Sequence, residues 1–198
     1  MLKPPKRFVG ITGGSCSGKT TLEHRLAATF GDRLALFPFD DMFVGRTALA
    51  GKTITNWEDP SLYRWDDFVG HIRDLKEGRT VTIIANSRES KAAGIDTRQI
   101  ESRPIVAVVG FLALHHPEVR RLYDTSIYLD VPEDEIIRRR MARANPDSPW
   151  DSAEYIHGML IPGHRRVVVP HREYADHVLD ATVPPEQLAD EVAAIIQI

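Results

Sequence analysis

Apolar residues recur along the chain with two different periods. Short, nearly continuous apolar runs at 7–12, 33–38, 80–85, 104–109 and 125–131, with a weaker one at 177–180, predict strands. Between them, segments 18–30, 61–77, 117–122, 132–144, 151–168 and 185–196 predict helices. In the first of these helices, Leu22, Leu26, Ala27 and Phe30 fall at helical spacing. Pro132 suits a first helical turn. Pro162 falls inside the 151–168 segment and predicts a kink or split there. Strands alternating with helices predict an α/β fold of three layers, α/β/α, around a mostly parallel five-stranded sheet. Residues 86–103 are polar and aperiodic and read as a loop or small excursion from the core. Ligands of such sheets sit beyond the carboxyl ends of the strands, which is where chemistry is sought below.

The junction of the first strand and first helix reads Gly13-Gly14-Ser15-Cys16-Ser17-Gly18-Lys19-Thr20. This is the Walker A pattern in its required setting of strand, glycine loop and helix. Glycines let consecutive backbone N–H groups turn inward onto phosphate oxygens, and the helix adds its positive end. Residues 13–20, with Thr21 behind them, are therefore the expected nucleotide-binding set. Lys19 is expected to reach the β- and γ-phosphates of ATP, and the Thr20 hydroxyl to hold Mg²⁺. A Gly-x-Gly-x-x-Gly dinucleotide fingerprint is absent, since the nearby glycines fall at 10, 13, 14 and 18.

Composition narrows the class without changing it. A chain of 198 residues, 42% hydrophobic and 27% charged, suits one domain with a sizeable core. The net charge of −3 gives no sign of a nucleic-acid surface. The single cysteine, Cys16, allows no internal disulfide and fits a reducing compartment. Residues 1–7 are basic but lack the apolar stretch of a signal peptide, and no run reaches membrane-spanning length. The expected setting is cytoplasmic, with no membrane partner; a homo-oligomer is left open. The eight histidines show no zinc-ligand spacing.

The second strand runs into Asp40-Asp41, beside the expected phosphate site. Phosphoryl transfer to a hydroxyl needs a group that orients it and accepts its proton, and Asp40 is the candidate. Neighbouring side chains in extended chain point opposite ways, so one of the two carboxylates faces the site. In Asn56-Trp57-Glu58-Asp59-Pro60, Glu58 suits the two hydroxyls of a ribose and Trp57 a flat ring. The same five residues equally fit a helix-capping stretch. Arg138, Arg139, Arg140 and Arg143 form a basic cluster on the helix after the fifth strand. They fit either a solvated face or a lid over phosphates, with the turn 144–149 as its hinge.

These motifs in this order, GGSCSGKT, FDD, NWEDP, GFLAL and RRRMAR, resemble the uridine kinase and nicotinamide riboside kinase group of P-loop kinases. Residues 155–180 resemble the C-terminal stretch of uridine kinases, and Asp-Ser-Pro at 147–149 is similar to riboside kinases. The resemblance implies one P-loop NTPase-fold domain over 1–198, with a helical lid near 138–150 and an acceptor-binding region near 44–100. It implies ATP- and Mg²⁺-dependent phosphorylation of the 5′-hydroxyl of a small nucleoside-like substrate. By position, Asp40 matches the catalytic base and a metal-side carboxylate, and Glu58 the acid that holds the ribose, where Asp is usual. Trp57 matches the aromatic beside the base, and Arg140 and Arg143 the lid arginines. The base-reading Tyr-Asp and His-x-Arg of uridine kinases are absent from 86–103, leaving Arg88 as the remaining contact.

One position departs from the pattern. The strand ending Val108-Val109-Gly110 carries Val109 where relatives place Glu or Asp against the metal. Val109→Glu is expected to strengthen Mg²⁺-dependent turnover. With valine there, either Asp40 or Asp41 takes over the metal, or metal binding is weaker, or the chain is a poor catalyst, and the last keeps open a regulator that binds ATP with little turnover. A kinase for another metabolite such as a sugar phosphate or vitamin precursor is a separate alternative.

Overall fold

The computed structural model describes residues 6–45, 49, 56–145 and 148–197. Strands β1 (Arg7–Gly13) and β2 (Leu34–Pro38) flank helix α1 (Lys19–Phe30) in the chain. Helix α2 (Trp65–Lys76) leads to β3 (Val81–Ile84), α3 (Arg88–Ala92), β4 (Thr97–Ile100) and β5 (Ile105–Val109). Then come α4 (Pro117–Arg120), β6 (Thr125–Asp130), α5 (Glu133–Ala142), a long helical run over 153–174, β7 (His177–Asp180) and a C-terminal helix, Pro185–Gln197.

Five strands form one sheet in the order β2-β5-β1-β6-β7, every pairing parallel. Alternation along the strands builds a core on each face. Val9, Ile11, Ala107, Val109, Ile127 and Leu129 meet Leu22, Leu26 and Phe30 of α1 and Val192 of the C-terminal helix. Phe8, Phe37, Val106 and Val108 meet Phe68, Ile72 and Leu75 of α2 and Val119 of α4. Interior strand β5 is buried at every position, as a strand covered on both faces must be.

Two expectations need correction. Residues 80–85 do form a strand, but β3 pairs antiparallel with β4 in a separate two-stranded unit. The stretch 86–103 is therefore an ordered excursion, capped at Ser87 where its hydroxyl accepts the Ser90 N–H. It escapes periodicity because β4 buries only Ile100 of its four residues. Pro162 also leaves the helical run unbroken. The run widens to π turns at Ile156–Leu160 and His164–Val168, on either side of a short α segment holding the proline. A π turn absorbs the missing N–H and the ring's clash with the preceding turn by shifting the hydrogen-bond register. No helix among the described residues is long and apolar enough to cross a membrane.

Candidate active site

The phosphate loop lies where β1 meets α1. Gly18 caps α1 in the left-handed region at φ 86°, and Cys16, a non-glycine, holds φ 61°. Alternating handedness of this kind gathers backbone N–H groups into an anion-binding nest. At Gly14 an added Cβ would lie 2.6 Å from the His164 ring, so only glycine fits. Lys19 Nζ donates to the Gly13 and Gly14 carbonyls at 2.9 and 2.7 Å and to Ser17 Oγ at 3.3 Å. Burial lowers the Lys19 pKa, while the charges of Asp40 and Glu23 oppose that shift. Ser15 is half-buried, Ser17 is buried, and Thr20 and Thr21 are exposed at the start of α1.

Asp40 and Asp41 sit in a 3₁₀ turn, Phe39–Met42, that ends β2. The 3₁₀ turn, and not the alternation expected of extended chain, separates their roles. Asp41 is fully buried; its Oδ1 accepts the Ser87 N–H at 3.0 Å and its Oδ2 pairs with Arg98 Nε at 3.2 Å. It fastens the β3–β4 unit to the main sheet. Asp40 Oδ1 is buried without a hydrogen-bond partner in the structure. Burial raises its carboxyl to about 6, and the Lys19 ammonium pulls the other way. A buried carboxylate oxygen left without a partner is costly for the fold alone.

On the acceptor side, Asn56 Oδ1 accepts the Glu58 N–H at 2.9 Å, and Asp59 caps the short 3₁₀ turn Pro60–Leu62. Glu58 is buried at 7% exposure, with Oε2 unpartnered. Burial raises its carboxyl to about 7, against the pull of Arg140 and Lys19. The segment is thus both a cap and a placed acid. Half-buried Trp57 packs 5.0 Å from Phe43 and edge-on to Trp150 at 5.5 Å, forming an aromatic wall.

The arginines of α5 diverge. Arg138 pairs outward with Glu135 and is a surface residue. Arg139 Nη1 donates to the Cys16 carbonyl of the phosphate loop at 3.1 Å. Arg140 and Arg143 each reach Ser15 Oγ at 3.4 Å, so both expected lid arginines converge on the loop. Arg140 also pairs with Asp151 at 2.8 Å. Arg88 is mostly exposed, with its guanidinium 3.7 Å from the same Asp151. Pro146 and Asp147 of the expected hinge, and residues 46–48 and 50–55 of the expected acceptor region, lie outside the described residues.

Val109 is 3% exposed within the apolar cluster that includes Leu22. The carboxylate that sequence reading missed is Glu23. It is half-buried, raised to about 7 by burial, and under the influence of Asp40 and Lys19. Its spacing from Thr20 and Lys19, three and four residues along α1, was the available signal. His164, against Gly14, and buried Asp151 were also missed, and neither carried a local signal.

Comparison with known proteins agrees with this geometry. The profile of the phosphoribulokinase / uridine kinase family matches residues 8–182. A uridine kinase of Lactococcus lactis subsp. cremoris is 27% identical over 200 residues, covering 96% of this chain and 97% of that protein. A uridine kinase of Clostridium perfringens is 29% identical over 178 residues, covering 87% and 86%. Phosphoribulokinase from Rhodobacter spheroides shares the fold with a TM-score of 0.61 at 15% identity, over 91% of this chain and 74% of that one. A glycine loop between the first strand and first helix, and this match over most of its length, make the chain a P-loop kinase of the phosphoribulokinase / uridine kinase family.

Proposed function

We propose that the chain transfers the γ-phosphoryl group of ATP to the 5′-hydroxyl of a ribonucleoside. The observation that carries this reading is Asp40, whose Oδ1 is buried without a hydrogen-bond partner and whose carboxyl feels the charge of Lys19, as Glu58 in turn feels the charge of Asp40. In this reading the loop 13–20 and Thr21 bind the triphosphate, and Lys19 neutralises charge on its tail. Asp40 accepts the proton of the attacking hydroxyl. Glu58 holds the ribose hydroxyls, Trp57 flanks the base, and Arg88 lies at the acceptor's outer edge. Arg140 and Arg143 belong to a lid near 138–150, and the acceptor region spans about 44–100 of the single domain.

The oxygen donors suit Mg²⁺, which would offset the charge of the phosphates. Thr20, Asp40 and Glu23 are the residues that would face it. Among the described residues no group of three or more His, Cys, Asp or Glu could hold a metal. That fits an ion completed by phosphates and water rather than by a protein cage. Val109→Glu is expected to raise Mg²⁺-dependent turnover while lowering the melting temperature of the metal-free chain, because the new carboxylate enters an apolar cluster. Turnover that stays flat or falls across a Mg²⁺ titration would assign the metal to Asp40 and Glu23 alone.

Incubation with Mg·ATP and a panel of ribonucleosides, with nicotinamide riboside included, tests the function directly. A 5′-monophosphate should form, and 5′-deoxy analogues should give none. A chain that binds ATP but phosphorylates nothing in single turnover would favour the regulator reading that Val109 keeps open. Glu58→Ala is expected to raise the acceptor KM about 10- to 150-fold, the equivalent of about 1.5–3 kcal/mol for hydrogen bonds to a charged group. The KM for ATP should stay near its original value; a rise there instead would move Glu58 to the nucleotide side.

A further inference from the structure

Asp151 lies outside every motif discussed above, yet it is buried, at 7% exposure, between the two halves of the site. Its Oδ1 takes Arg140 Nη2 at 2.8 Å. Its Oδ2 accepts the Asn145 N–H at 3.3 Å and faces Arg88 Nη1 at 3.7 Å. Arg140 is itself largely buried, at 13% side-chain exposure, and its Nη2 also donates to the Trp150 carbonyl at 3.0 Å. Its other amino group, Nη1, points at Ser15 Oγ of the phosphate loop. A single guanidinium thus spans from the loop to a carboxylate on the acceptor side. That carboxylate is shared with Arg88 of the β3–β4 excursion.

We propose that Asp151 is a positioning residue that holds Arg140 at the seam between the phosphate loop and the acceptor subsite, sharing the guanidinium with the phosphate tail. Three features support it. The pair is buried, so its geometry is fixed by contact rather than averaged by solvent. The fork of Arg140 is planar, so fixing Nη2 on Asp151 also fixes where Nη1 points. Trp150, next in the chain, stands edge-on to Trp57 of the acceptor wall, so the turn carrying Asp151 is packed against the acceptor side. The inference rests on the kinase reading above, but half of its test needs no acceptor.

The test is a double-mutant cycle of Asp151→Asn and Arg140→Ala, read twice. By calorimetry with Mg·AMPPNP, Asp151→Asn should tighten binding about threefold, because a competing anion is removed from Arg140. In the Arg140→Ala background the same change should have no effect. With Mg·ATP and uridine, Asp151→Asn should lower kcat at least about tenfold alone and less than about twofold without Arg140. A role in folding alone would weaken AMPPNP binding and kcat together and equally in both backgrounds; either result overturns the proposal. A wild type that binds AMPPNP but phosphorylates no nucleoside would refute the acceptor assignment, while the affinity cycle still decides on Asp151. If Asp151→Asn does not fold, the double variant, which buries no unpaired charge, should recover the fold. A double variant that stays unfolded overturns the pairing.

Discussion

Asp40→Asn is expected to lower phosphoryl transfer about 10²- to 10⁴-fold, the range for a lost general base, while ATP still binds. Single-turnover kinetics and calorimetry read the two effects separately. Asparagine keeps the shape but cannot accept the proton. The wild-type rate should rise with pH through about 6, where burial sets the Asp40 carboxyl, and that limb should vanish in the variant. A stability effect of opposite sign accompanies it. Burial lifts the folded carboxyl from its ordinary 3.8 to about 6. Between these values the folded chain keeps a proton that the unfolded chain releases, so stability falls as pH rises through this window. Above it the full penalty stands, on the order of 2–3 kcal/mol. Asp40→Asn should therefore melt higher than wild type at pH 7.5, and the gain should disappear below about pH 4. A variant that loses transfer and also melts lower at neutral pH would make Asp40 a structural residue.

Lys19→Ala is expected to reduce turnover about 10²- to 10³-fold, comparable to the loss of one preorganised charge stabiliser. The fold should survive, since among the described residues the ammonium bonds only to Gly13, Gly14 and Ser17 within its own loop. Circular dichroism at neutral pH checks that point. The two residues are also coupled. Lys19 is the largest influence opposing the upward shift of Asp40, so the residual activity of Lys19→Ala should reach its plateau at higher pH than wild type. An unmoved pH limb would separate Lys19 from the base; turnover within about threefold of wild type would remove it from the reaction altogether.

The parallel sheet was legible because β1, β5 and β6 are apolar on both faces, which only a strand covered on both sides can be. The phosphate loop was legible because its spacing is dictated by backbone geometry, and that constraint is local. The excursion over 86–103 was legible as such but its order was not: Asp41 and Arg98 hold it from 57 positions apart, a pairing no local window contains. Alternation could not assign Asp40 and Asp41 their roles, because they lie in a 3₁₀ turn instead of extended chain; the Ser87 and Arg98 contacts of Asp41 are what distinguish them. Asp151 stayed hidden for the same reason as His164. Each matters through what reaches it across the fold, Arg140 in one case and Gly14 in the other. The helical run from 153 shows the reverse limit. Pro162 was read correctly as a disturbance, but the chain met it by changing hydrogen-bond register instead of breaking.

The anchoring of Asp41 bears on how this scaffold can be re-engineered. Its carboxylate clasps Ser87 and Arg98, and the next residue upstream is the candidate base. A hairpin transplanted from a sister enzyme to recruit a new alcohol must bring a guanidinium at position 98. Without it, the graft leaves a bare anion beside the reacting centre, and substrate range and catalytic power fail together.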